Sequence, residues 1–277
     1  MRLHRYFGSR ADITLSERRL LLNRASSFND PFEFVHRFIG DYTLESAVED
    51  IRTFIPERMA RELANKFDNL LSTNDATRQK PFALHEQLAK FAVDQGIRPL
   101  IDPAHCHELA DKYFRLCCFS KCDVDPDAEI LLWSHYANKH AGVRIEYELD
   151  SNELPLFEVN YSQERCAIDL SMAYSEDQTN EVLKLALRTK SLGWKYENEV
   201  RLIIYKEHAI KKPIPLSYRY YLQFDPGSVK SVDFGINCPP GTINQVRAIL
   251  DADYPNVRMR KAVHHPDDFA IEFRPIT

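Results

Sequence analysis

Only eight glycines occur among the 277 residues, and no two of them form a Gly-x-Gly. That is under half the usual share of roughly 7%. Folds that wrap a loop around phosphates need clustered glycines, because backbone amides approach the phosphate only where no Cβ intervenes. A dinucleotide fingerprint and a P-loop are therefore excluded. Gly-x-Ser-x-Gly and His-Glu-x-x-His are absent as well, which sets aside further large enzyme classes.

The remaining composition is that of a globular chain. Its length allows one large domain or two small ones, and a chain of this size buries roughly three-quarters of its unfolded surface. Lys and Arg number 36 against 41 Asp and Glu, for a net charge of −5, so no global basic field advertises nucleic acid. Met1-Arg2-Leu3-His4-Arg5-Tyr6-Phe7 has no apolar stretch resembling a signal peptide. The longest apolar run is four residues, as at Ile130–Trp133, far below the ~20 needed to span a bilayer. Cys106, Cys117, Cys118, Cys122, Cys166 and Cys238 then read as reduced thiols. A cytoplasmic protein with no membrane partner is expected.

Along the chain, Leu3 to Phe7 reads as a strand and Asp12 to Asn23 as a helix. In Phe28-Asn29-Asp30-Pro31-Phe32, Asp30 precedes a proline and leaves helical space, while Asn29 and Asp30 favour turns closed by their side chains. The flanking phenylalanines are expected to pin that turn to the core. Apolar residues at helical spacing from Val48 to Leu70, then Phe82 to Gln95 and Cys106 to Leu116, predict a helical block over about 41–115. After it the pattern changes. Leu116 to Ser120, Val143 to Tyr147, Val159 to Ser162, Trp194 to Tyr205, Tyr220 to Phe224, Val229 to Phe234, Val257 to Arg260 and Phe269 to Phe273 read as strands. Helices are expected at Ala128 to Lys139, ending at Gly142, at Glu176 to Thr189 and at Thr242 to Asp251. The sum is one α+β domain, 1–277, with a mixed, mostly antiparallel sheet and an inserted helical block.

Four constellations carry possible chemistry. Glu197, Glu199 and Arg201 alternate along the strand predicted over 194–205 and project from one face. They are either a solvated outer face or a carboxylate pair lining a cleft, held by the arginine. In Trp133-Ser134-His135-Tyr136-Ala137-Asn138-Lys139-His140, the two histidines are five apart. On a helix they diverge by about 140°, which suits core packing of rings better than a shared metal. His105, Cys106 and His107 with Cys117, Cys118 and Cys122 lack paired Cys-x₂-Cys spacing, so no metal is expected. Arg5, central in the first strand beside His4, either grips a phosphate or ribose or is an edge-strand charge.

In order, Tyr6, Ser27-Phe28-Asn29-Asp30-Pro31-Phe32, Cys118-Phe119-Ser120, Trp133-Ser134-His135-Tyr136-Ala137 with Gly142, and Lys190-x₃-Trp194-x₂-Glu197-x-Glu199-x-Arg201 resemble the bacterial domain-of-unknown-function family twenty-nine seventy-one. The resemblance covers most of the chain except about 41–115 and names no catalytic residues. The chain is more distantly similar to ADP-ribosyltransferases, which carry an Arg or His on the first strand, a Ser- or Tyr-containing middle motif and a late Glu/Gln-x-Glu. Here Arg5 or His4, Ser120 or Tyr136, and Glu197-x-Glu199 follow that order. The middle motif departs from the pattern, with Phe119-Ser120-Lys121 in place of Ser-Thr-Ser.

That similarity implies NAD as substrate. Glu199 would bind the nicotinamide-ribose 2′-hydroxyl and stabilise oxocarbenium character, Glu197 would orient the acceptor, Arg5 would hold phosphate or ribose, and Tyr136 or Trp194 would stack on nicotinamide. Transfer to a protein or nucleic-acid acceptor, or hydrolysis of NAD, in bacterial defence or toxicity, is the function so implied. Two other readings stand beside it. One is a metal-dependent nuclease or hydrolase using Glu197, Glu199, His135 and Asp30. The other is a non-enzymatic sensor or interaction module in which the same residues are structural.

Overall fold

The computed structural model describes residues 1–34, 37–39, single positions between 44 and 90, 106–169, 176–215 and 217–276. Most of the helical block expected over 41–115 lies outside them. The chain divides into two compact units. The first comprises Met1–Asn29, Asp111–Gln163 and Lys190–Thr277; the second comprises Asp30–Ala110 and Glu164–Thr189. In the second unit, strands β3 (Arg37–Ile39) and β8 (Ala167–Asp169) pair in parallel.

The first unit is built on a mixed sheet of eight strands, antiparallel but for one pair. The strands are β1 (Arg2–Phe7), β4 (Phe114–Lys121), β5 (Val143–Glu148), β6 (Leu156–Glu158), β10 (Glu199–Tyr205), β13 (Val229–Phe234), β14 (Arg258–His264) and β15 (Ile271–Pro275). Their order is β15-β14-β13-β5-β1-β4-β10-β6, and only β13 and β14 run parallel. The α+β expectation holds. Three shorter strands form a second sheet in the order β11 (Ile210–Ile214), β12 (Ser217–Gln223), β2 (Arg19–Leu22).

Period-two alternation gives the large sheet two unlike faces. Leu3 and Phe7, Cys117 and Phe119, Val143 and Ile145, Val200 and Leu202, and Val232 and Phe234 join one apolar core. Helices α1 (Ala11–Glu17) and α5 (Pro240–Asp253) add Ala11, Leu15, Val246 and Leu250 to that core. The alternate positions are polar yet buried: His4, Ser120, Arg144, Glu146, Glu199, Arg201, Ser231 and Asp233. Helix α3 (Pro126–Tyr136) serves this polar face; its Trp133 meets Tyr6 edge-on at 5.4 Å and its Glu129 pairs with Arg144. Arg144 in turn donates to Asp233 at 2.9 Å, which also accepts from Arg260 at 2.6 Å. Arg144 and Asp233 thus each have an opposite charge beside them, the condition for keeping charge out of water. Two further helices are α2 (Cys106–Tyr113) and α4 (Glu176–Leu187).

Several elements differ from expectation. The helix expected over Asp12 to Asn23 ends at Glu17. Arg18 turns left-handed (φ 51°), its N–H bonds back to Leu15 O, and the chain reverses into β2 to pair with β12. The helix expected to reach Lys139 stops at Tyr136, and Asn138, Lys139 and His140 all have positive φ. This release brings Gly142 against β1, where a Cβ would lie 2.1 Å from Phe7 O. The strand expected from Val159 to Ser162 is β7 (Asn160–Ser162), and the short β6 precedes it.

The pairing of β1 is lopsided. It meets β5 at six register positions but β4 only at Leu3↔Lys121 and His4↔Ser120. Beyond His4 the two strands part. In that gap the residue after β2, Asn23, exchanges two main-chain hydrogen bonds with Leu116 of β4, at 2.7 and 3.0 Å. The sheet is therefore split at its middle.

Candidate functional site

A cavity of about 410 Å³ opens at the split, within the size range of small-molecule sites. Its lining includes His4 and Arg5 from β1, Ser120 from β4, His135 and Tyr136 from α3, and Glu197 and Glu199. Asn29 also lines it. Eight of the residues singled out in the sequence thus share one wall.

The acidic pair is held differently from the sequence expectation. Glu199 opens β10, but Glu197 ends a 3-10 turn over Leu192–Glu197 rather than lying on the strand. Asn198 between them is left-handed (φ 44°), a conformation asparagine tolerates better than most residues. Both carboxylates nonetheless point inward: Glu197 is 3% exposed, Glu199 5% and Arg201 0%. The solvated-face reading of this trio is overturned.

Lys190 ties the pair together. It sits on the short strand β9 (Thr189–Ser191), which pairs with β7. Its Nζ lies 2.5 Å from Glu197 Oε2 and 3.1 Å from Glu199 Oε2. Arg201 donates twice to Glu199, from Nε at 2.8 Å and from Nη2 at 3.0 Å. The Tyr136 hydroxyl donates to Glu197 Oε1. The Glu199 N–H donates to the Tyr161 hydroxyl at 2.8 Å, fixing the backbone beneath the carboxylate.

These contacts push the two acids apart. Burial would raise the Glu199 carboxyl, but the charge and hydrogen bonds of Arg201, then Lys190 and the Cys118 thiol, bring it down to about 2. Glu197 goes the other way: burial raises it, the Glu199 charge adds to the rise, and Lys190 and Tyr136 only partly oppose it. One member is thus held ionised while the other is raised above the ordinary carboxylate range, opposite directions of the kind found in acid–base pairs. Burial, then Glu197, raises the Tyr136 phenol, so it remains a donor. Burial, with Arg144 and Arg260 adding, drives His4 down to about 2 and leaves it neutral.

Arg5 reaches across the split. Its Nη1 donates to Cys117 Sγ at 2.7 Å and its Nη2 to Leu21 O at 3.1 Å, with the Phe7 ring 5.2 Å away. Both acceptors are neutral, and among the described residues no carboxylate pairs with it. Arg5 is thus a cation at the cavity whose acceptors are uncharged.

Three expected site residues stand elsewhere. Arg201 supports Glu199 from behind and does not line the cavity. Trp194 is also set back, edge-on to His135 at 6.5 Å and 5.0 Å from Lys190 Nζ, whereas Tyr136 lines the cavity. Asp30 belongs to the second unit, where its Oδ1 accepts the Phe32 N–H at 2.9 Å in the expected side-chain-closed turn. Phe32 does not anchor that turn, being 65% exposed, whereas Phe34 is buried. Lys190 had no assigned role in the sequence, although it opens the motif carrying both glutamates. Among the described residues, no group of three or more His, Cys, Asp or Glu could hold a metal ion. No described helix is long and apolar enough to cross a membrane.

Residues 132–202 match the family model described as Protein of unknown function (DUF2971), the family whose motifs the sequence resembles. The matched stretch holds Tyr136, Lys190, Glu197, Glu199 and Arg201; Arg5 and Ser120 lie before it. No curated protein and no solved structure matches the chain significantly.

Proposed function

We propose that the cavity binds NAD and cleaves its N-glycosidic bond, passing ADP-ribose to an acceptor or to water. The observation that carries this reading is the convergence of Arg5, Ser120, Tyr136, Glu197 and Glu199 on one cavity, with the two acids driven in opposite directions. As the bond between the ribose carbon and nicotinamide breaks, its electron pair leaves with the neutral base and the sugar gains oxocarbenium character. A carboxylate held ionised in a water-poor wall stabilises that charge, which is the role for Glu199. The incoming hydroxyl or water loses its proton to Glu197, whose raised position suits a general base. Arg5 supplies the unpaired cation for a phosphate or ribose oxygen.

A metal-assisted hydrolase fits this geometry less well. A divalent cation bridging Glu197 and Glu199 would need the place that the Lys190 ammonium fills.

The test is direct. Purified protein is mixed with NAD, binding is followed by calorimetry and nicotinamide release by chromatography. Release by the wild type, lost in Glu199→Gln with an unchanged circular dichroism spectrum, is the expected result. A wild-type protein that neither binds nor consumes NAD overturns the proposal.

A further inference from the structure

Arg5 also lines a second cavity, of about 270 Å³, on the α1 side of the sheet. Its wall brings Arg5 together with Arg10 and Arg19, the hydroxyl residues Ser9 and Thr14, and a single carboxylate, Glu17. Glu17 pairs with Arg19. Among the described residues, Arg5 and Arg10 have no carboxylate partner. The wall therefore carries three cations against one anion.

Arg19 is the decisive member. It is 6% exposed, and its Nη1 is buried with no hydrogen-bond partner. A guanidinium nitrogen taken out of water without an acceptor is costly; the Tyr221 ring, 4.7 Å from the guanidinium carbon, offsets part of that cost by a cation–π contact. Arg10, at the entry to α1, is held in the left-handed region (φ 70°), where a non-glycine residue is uncommon and turns the chain sharply into the helix.

We infer that this second cavity is a binding site for a phosphoryl group on a small molecule, held by the forked guanidinium groups of Arg5, Arg10 and Arg19. A phosphoryl group near −2 charge matches the surplus of two cations, and its several oxygens accept from planar forks two at a time. Ser9 and Thr14 offer neutral donors for the remaining oxygen. Arg10 and Arg19 line this cavity and not the first, so their substitution separates the two sites, which share Arg5.

Calorimetry of the intact protein with inorganic phosphate, inorganic pyrophosphate and acetate tests the assignment. Saturable binding of phosphate or pyrophosphate is expected, tighter than acetate by about tenfold or more. Arg10→Gln, at a partly exposed position, and Arg19→Met should each weaken it by about tenfold, the loss of one charge-assisted hydrogen bond. Circular dichroism checks folding, and if Arg19→Met does not fold, Arg10→Gln alone decides. Absence of saturable binding, equal affinity for acetate, or phosphate binding unmoved in Arg10→Gln each overturns the inference.

Discussion

Replacing Lys190 with methionine removes the ammonium that sits 2.5 Å from Glu197 and 3.1 Å from Glu199 while keeping most of the side-chain volume. Arg201 still compensates Glu199, so Glu197 is left as the unpaired buried acid. Breaking a buried pair from one side costs about 3–5 kcal/mol. Protonation caps the part that comes from charge. A glutamate with an ordinary pKa near 4.3 takes up a proton at pH 7 for about 4 kcal/mol, and at pH 5 for about 1 kcal/mol. Lys190→Met should therefore lose about 3–4 kcal/mol at pH 7 and distinctly less at pH 5.

The sign follows from proton counts. In the variant, Glu197 is raised further above its unfolded value, so the folded state binds more protons and stability rises as pH falls toward about 4.3. Glu199 does not confuse the measurement, because its own window runs from the ordinary glutamate value down to about 2, below both test conditions. Urea unfolding of wild type, Lys190→Met and Lys190→Met with Glu197→Gln at pH 7 and pH 5 reads the effect. The double variant should recover much of the loss at pH 7 and show little difference between the two conditions. A loss for Lys190→Met that is the same at both pH values, or under about 1 kcal/mol at pH 7, would refute the view of Lys190 as counter-ion to a charged pair.

Other outcomes follow from the same geometry. In the wild type, Glu199 is depressed to about 2, so its stabilisation is complete above its unfolded value and lost as pH falls toward 2. The loss is about 3 kcal/mol, and an acid-unfolding curve of Glu199→Gln should lack that part of the slope. Tyr136→Phe removes a donor that lowers Glu197; the acid limb of the pH profile for nicotinamide release should move upward, and an unmoved limb would remove Glu197 as the base. Gly142→Ala places a methyl 2.1 Å from Phe7 O and 2.9 Å from Ala137 O, both backbone atoms. It should lower stability by about 1–3 kcal/mol or more, and an unfolding midpoint equal to the wild type would contradict the close packing of that turn.

How far the site was legible in the sequence depends on which physical rule governs each residue. Alternation is local, so Val143 to Tyr147 and Val229 to Phe234 could be read as strands, and the side-by-side placement of Glu199 and Arg201 followed. Burial of their face is not local. A polar row on one strand has the same pattern whether water or a helix covers it, and here the polar rows of β1, β4, β5, β10 and β13 form one buried layer, met by Trp133, Glu129 and Tyr136 of α3.

Arg5 posed a harder problem. Its importance comes from the parting of β1 and β4, and that parting is occupied by the chain just after β2. β2 was hidden inside a segment that read as one helix, because Leu15, Leu20 and Leu21 give scattered apolar positions and nothing at Arg18 announces a left-handed stop. Glycine or asparagine usually marks such a stop; an arginine does so only when tertiary contacts, here the pairing of β2 with β12, hold it there. The same hidden reversal positions Arg19 beside Arg5 and Arg10, so both cavities share one structural cause: a strand that pairs outside the large sheet and leaves its centre open.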